Sequence, residues 1–330
     1  MQNVNFGIVA WGLAVFLLAI PSVESQVHDH PNLAGKTTQV SLTFDESDLL
    51  ICLKATLNGE PVRLVLDTGA SIHVYGTSLD SIISGPIYPF KFRSKNLEFC
   101  GPQNLHLGKM PDKCSVDSLV MNLDKIVKDS GLRIDGFIGI PFIWDRIAEL
   151  DFTKHEIRFT ELPQGSEKTV GFTRPIAEGV KTEQLDIHLG SLNLPYLTNL
   201  YVDDSKITAL LDTGYSGAIA IEPALFERLE KLGKIRGVKL TEKAVTAGLT
   251  SENFEPKMGI LDSLTLGNTE LSNIPIDIST TNKIGCSLLN KFHVLIDMRN
   301  KRMVLSKNRN FSLPFRIPLS YQTALAISND

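Results

Sequence analysis

Almost nothing in this sequence points toward nucleic acid or metal. Its 33 Lys and Arg stand against 37 Asp and Glu, a formal net charge of -4. The charges are mixed along the chain, with no basic block of the kind that follows a phosphate backbone, so nucleic acid is not expected as a partner. Cysteine is sparse, at positions 52, 100, 114 and 286, and neither a Cys-x-x-Cys nor a His-x-x-x-His spacing supplies zinc ligands. His28 and His30 flank Asp29 close to the start of the chain and read as a solvated end. No metal and no cofactor is expected. A Gly-x-Ser-x-Gly elbow is also missing, so a serine hydrolase would have to assemble Ser71, His73 and an Asp from unrelated positions. Long apolar runs are limited to one.

That run, Phe6 to Ile20, is apolar apart from Gly7 and Gly12, and Pro21-Ser22-Val23-Glu24-Ser25 ends in small residues that suit cleavage before Gln26. No Lys or Arg precedes it. At roughly 15 residues it is short for a full membrane span. Residues 1–25 are therefore expected to be a signal peptide for export to a periplasm or outside the cell, with an uncleaved anchor as the other option. No further membrane contact is expected. In an oxidising compartment Cys100 and Cys114 are near enough in sequence to close a small disulfide loop. Cys52 and Cys286 lie in apolar runs and read as buried thiols.

What the chain does have is a repeat. With 43% hydrophobic and 21% charged residues it is a globular protein, long enough for two domains. Leu64-Val65-Leu66-Asp67-Thr68-Gly69-Ala70-Ser71 returns as Ala209-Leu210-Leu211-Asp212-Thr213-Gly214-Tyr215-Ser216. In both copies a buried strand runs straight into a carboxylate, which must be hydrogen-bonded or share its charge because an unpaired one is costly in apolar surroundings. Asp67 to Gly139 spans 72 residues and Asp212 to Gly285 spans 73, while Gly139 to Asp151 and Gly285 to Asp297 are both 12 apart. Gly69 to Gly108 and Gly214 to Gly267 differ, at 39 and 53. Fixed anchors with variable loops describe two related lobes. The strand signals agree: Asn58-Gly59 marks a hairpin leading into Asp67, and Glu222 to Leu232 reads as a helix closed by Gly233. The expected layout is a lead over 26–44, a first lobe over 45–163, a polar linker over 164–175, a second lobe over 176–310 and a tail over 311–330.

Two Asp-Thr-Gly segments, each followed much later by an apolar-Gly element (Asp135-Gly136-Phe137-Ile138-Gly139-Ile140 and the shorter Lys283-Ile284-Gly285), resemble the aspartic peptidases of the pepsin and retropepsin type. The resemblance covers nearly all of residues 45 to 310. It implies a mostly β protein of two homologous lobes with a few short helices. Its active site would lie at the seam and its substrate would be a peptide or protein. It implies Asp67 and Asp212 as the catalytic pair, sharing one proton because two adjacent carboxylates do not both ionise readily. Thr68 and Thr213 would hydrogen-bond across the seam, Gly69 and Gly214 would let backbone amides reach the carboxylates, and Ile138-Gly139 and Ile284-Gly285 would pack beneath the turns. Asp151 and Asp297 read as turn residues.

One departure concerns pH. The family often places Ser or Thr after the glycine, where its hydroxyl supports the ionised pair; here Ala70 and Tyr215 stand there. Losing hydrogen bonds to the charged form raises a carboxyl pKa, so activity is expected at mildly acidic to neutral pH. Tyr215 is also bulky for a tight turn. A flap over the cleft is expected from Tyr88 to Leu105 or from Ala247 to Met258. An intramolecular pair would make a monomer sufficient, the alternative being pairing with a second chain. The rival functional reading is a catalytically inactive lobe pair that binds peptide or glycan.

Overall fold

The computed structural model describes residues 38–47, 49–92, 95–112, 117–130, 132–161, 181–240 and 257–317. The signal segment, His28, His30, Cys114, the linker over 164–175 and most of the second flap candidate lie outside the described residues.

Each lobe is built from the same pairing scheme. In the first, Asn58 and Gly59 both take positive φ (53° and 94°), the backbone that a two-residue hairpin turn demands. They join Leu50–Leu57 to Glu60–Asp67, with Leu57 opposite Glu60. On its other side Glu60–Asp67 pairs in parallel with Gly136–Gly139, which pairs antiparallel with Val74–Gly76, itself parallel to Ser118–Met121. In the second lobe the hairpin is Pro195–Val202 with Ser205–Leu211; Lys283–Ile284 lies parallel to the latter, then come Ile219–Ile221 antiparallel and Thr269–Ile278 parallel. The central strands are enclosed on both faces and read as continuous apolar runs.

A third arrangement joins the lobes. Arg146–Asp151 from the first lobe pairs antiparallel with Phe292–Asp297 from the second, Ala148 standing opposite Ile296. Thr38–Thr43 and Glu156–Glu161 extend this layer on one side, Arg302–Lys307 and Thr182–Leu189 on the other. Part of the expected lead is thus an edge strand of the shared layer. Asp151 and Asp297 close the turns after their strands: Asp151 accepts from Thr153 and Lys154 N–H groups, Asp297 from Asn300 and Arg302.

Helices are few and short. Pro223–Lys231 buries Phe226 and Leu229 and ends at Gly233, which takes φ 72° as left-handed helix ends prefer. The expected Cys100–Cys114 disulfide is corrected at its first member. Cys100 is a free thiol, turned into the core by its place at the end of Lys95–Cys100, and its Sγ donates to Ser118 O.

Candidate active site

The two Asp-Thr-Gly segments arrive at one place from opposite lobes. Both leave their strands by the same turn: Ala70 N–H donates to Asp67 O and Tyr215 N–H to Asp212 O, each at 3.2 Å. Two residues beyond each Asp, the glycine amide turns back onto the carboxylate, Gly69 N to Asp67 Oδ1 at 2.9 Å and Gly214 N to Asp212 Oδ1 at 3.1 Å.

The intervening threonines lock the turns to each other. Thr68 N–H donates to Thr213 Oγ1 and Thr213 N–H to Thr68 Oγ1, both at 3.0 Å. Each hydroxyl then donates onward to the backbone of the opposite lobe, Thr68 to Leu211 O at 2.5 Å and Thr213 to Leu66 O at 2.7 Å. Both threonines are fully buried. A hydroxyl suits this place because it can accept and donate at once.

The glycines serve the opposite carboxylate as well as their own. A Cβ placed on Gly214 would stand 2.4 Å from Asp67 Cγ, and one on Gly69 would stand 2.7 Å from Asp212 Cγ. Each carboxyl group therefore packs directly onto the other lobe's glycine. Asp67 is pushed up from 3.8 to about 8, first by burial, then by the charge of Asp212, with a hydrogen bond to Asp212 adding to the rise. The Gly69 amide and the charge of Lys283 act the other way. Asp67 thus holds a proton through neutral pH beside a second carboxyl group, an arrangement suited to moving protons.

Beneath the turns lie the two apolar-Gly elements. Gly139 pairs with Asp67 in the parallel register, Ile140 N–H donates to Ala70 O and Cys286 N–H to Tyr215 O, both at 2.8 Å. A side chain on Gly139 would meet Ile72 O at 2.3 Å; on Gly285 it would meet Tyr215 O at the same distance. Ala70 is fully buried. Tyr215 fits a turn that matches the first because its side chain lies across Gly217 and Gly285, where a Cβ would come within 2.1 Å of its hydroxyl and 2.5 Å of its ring. Its hydroxyl donates to Asp277 Oδ2.

Ser71 and His73 do not form a nucleophile and base. His73 is buried, its Nδ1 accepts from Gly139 N–H at 3.1 Å and its Nε2 lies 2.9 Å from Asp112 Oδ2. With Nδ1 accepting, Nε2 carries the proton and donates to Asp112. The imidazole braces the underside of the Asp67 turn.

Sequence reasoning passed over Lys283. Its Nζ lies 3.4 Å from Asp212 Oδ2, and the available signal was a charged residue at an otherwise apolar position of the Ile284-Gly285 element. The first flap candidate is a hairpin, Ile87–Phe92 with Lys95–Cys100, in which Tyr88 OH donates to Asp117 at 2.5 Å and both Tyr88 and Phe90 pack on Phe99. Among the described residues no cluster of three or more His, Cys, Asp or Glu is arranged to hold a metal.

A family model described as aspartyl protease matches residues 198–293, a span that holds Asp212-Thr213-Gly214 and Lys283-Ile284-Gly285. Among solved structures, the crystal structure of aspartic proteinase from Irpex lacteus aligns with a TM-score of 0.52 over 84% of this chain and all of that one, at 12% identity. No curated protein matches the sequence. The protein has the pepsin-like fold, and its second lobe resembles the aspartyl protease family.

Proposed function

We propose that this protein is an aspartic endopeptidase in which Asp67 and Asp212 act as the catalytic pair. The observation that carries the reading is the seam itself, where two carboxyl groups from matching turns are held by reciprocal threonine bonds, one of them pushed up to about 8. Peptide hydrolysis without a side-chain nucleophile needs a base for water and an acid for the carbonyl. A pair sharing one proton supplies both. The ionised member takes a proton from a water placed between them as the water oxygen bonds to the scissile carbonyl carbon, and the protonated member gives its proton to the carbonyl oxygen. The tetrahedral diol then collapses, the C–N bond breaks and the amine leaves with a proton. No acyl-enzyme forms.

The pair lies within one chain, so a monomer suffices, and the apolar Phe6 to Ile20 segment supports export. The mass of the active species and the N-terminal sequence of the mature protein test these two points. The function is tested by incubating wild type, Asp67→Asn and Asp212→Asn with a mixed peptide library, with and without a transition-state analogue of the pepstatin kind. Cleavage by wild type alone, blocked by the analogue, is expected. Wild-type rates in either variant would defeat the reading, and binding of peptide or glycan with no cleavage by wild type would favour the inactive lobe pair.

A further inference from the structure

The two Asp-Thr-Gly turns match, but the strands beside them do not. In the first lobe Ile138 pairs with Leu66 and the preceding residue, Phe137, pairs with Val65. In the second, Ile284 pairs with Leu211 and the residue in the place of Phe137 is Lys283, opposite Leu210. An apolar position on one side of the pair is an ammonium on the other. Its Nζ stands 3.4 Å from Asp212 Oδ2, with the Lys side chain 22% exposed and that of Asp212 only 10%.

We propose that Lys283 is a positioning residue which, by pairing with Asp212, makes Asp212 the standing carboxylate of the pair and leaves the shared proton on Asp67. The inference rests on the peptidase reading for its catalytic meaning. A pair holding one proton has two arrangements. With the proton on Asp67, the negative charge lies on Asp212 against the ammonium; with the proton on Asp212, the charge lies on Asp67, which has no such ion pair among the described residues. An ammonium favours the ionised form of the carboxyl group it touches, so the first arrangement is favoured. The base that takes the proton from water is then Asp212, and the acid that donates to the carbonyl is Asp67. A symmetric pair must choose between these roles, whereas this one is set before substrate arrives.

Other charged and titratable groups face Lys283. Tyr196, on Pro195–Val202, is raised mainly by burial and feels the charges of both Lys283 and Asp212. Asp277 lies two strands away in the same row, through Ala220, and receives the Tyr215 hydroxyl. Asp67 itself is drawn downward by Lys283 against the larger upward effect of burial. Removing the ammonium therefore releases Asp67 to titrate higher.

The test is a carboxyl-carbon NMR titration of the full isotope-labelled chain, with Asp67→Asn and Asp212→Asn used to identify the pair's signals. It needs no substrate, so it stands apart from the peptidase reading, which the cleavage assay alone decides. At neutral pH the Asp67 carboxyl carbon is expected at the protonated position and that of Asp212 at the ionised one; in Lys283→Met the two are expected to move toward each other as the proton is shared between them, with Lys283→Arg restoring the split. If Lys283→Met does not fold, Lys283→Gln gives the same readout. An unchanged split between the two signals in a folded neutral variant overturns the proposal, even if the enzyme cleaves peptides. So does a change that Lys283→Arg fails to reverse.

Discussion

Gly214→Ala is the sharpest perturbation that the site allows. The added methyl group would stand 2.4 Å from Asp67 Cγ, 2.6 Å from Oδ1 and 2.7 Å from Oδ2. Non-bonded carbons rest at about 3.5–4.0 Å, so the carboxyl group must retreat by roughly 1 Å. Gly214 does not lie in the left-handed region, so the backbone accepts alanine and the effect comes from contact alone. The threonine bonds on either side resist any widening of the seam, which leaves the carboxyl group as the part that moves. A misplacement of about 1 Å at reacting groups costs on the order of 100-fold in rate. We expect kcat/KM on a peptide substrate to fall by about that factor, with a smaller effect on thermal stability. Gly69→Ala, facing Asp212 Cγ at 2.7 Å, should behave alike. Gly101→Ala is the control, because nothing lies within 4 Å of its Cβ position. Rates within twofold of wild type for Gly214→Ala would refute the idea that each glycine makes room for the opposite carboxyl group.

Three other outcomes follow from the same geometry. Thr68→Val keeps the shape but removes the acceptor of Thr213 N–H and the donor to Leu211 O; two orphaned buried groups should cost about 2–4 kcal/mol in urea unfolding, and Thr68→Ser should recover most of it. Asp67 is raised from 3.8 to about 8, so the folded state keeps a proton that the unfolded chain loses as pH climbs from about 4 to 8, and stability declines over that window. Peptidase activity should fall as pH passes about 8, and Asp67→Asn, expected to be inactive, should be more stable than wild type at pH 8 by about 1–3 kcal/mol, the full shift being discounted because Asp67 is only half-buried. Tyr215→Phe removes the hydroxyl donated to Asp277 and should lower stability by about 1–3 kcal/mol while kcat/KM changes less than tenfold; a loss as large as that of Gly214→Ala would place the hydroxyl in the chemistry.

Much of the fold was legible because its signals are local. Asn58-Gly59 demands positive φ, Gly233 ends a helix, and the 12-residue steps from Gly139 to Asp151 and from Gly285 to Asp297 mark the strands that later pair across the lobes. The strand Thr38–Thr43 was hidden because only Val40 and Leu42 alternate among its polar, exposed residues, a pattern too short to stand out from the polar lead. Cys100 was misread because sequence proximity to Cys114 carries no information about which way a strand residue turns. His73 was visible as a residue but not as a brace, since its partners Gly139 and Asp112 are 66 and 39 positions away.

The deeper limit concerns symmetry. A duplicated motif invites the inference that its two halves behave alike, and within the two Asp-Thr-Gly turns the backbone bonds do match. Electrostatics are set by neighbours that the duplication did not keep equal: Phe137 against Lys283 beside the strands, Ala70 against Tyr215 after the glycines, and His73 under the first turn where Ala218 O takes the Gly285 amide in the second. Two identical tripeptides thus become chemically distinct carboxyl groups. Each also depends on the other lobe for the space in which it sits, so neither half-site is complete without its counterpart.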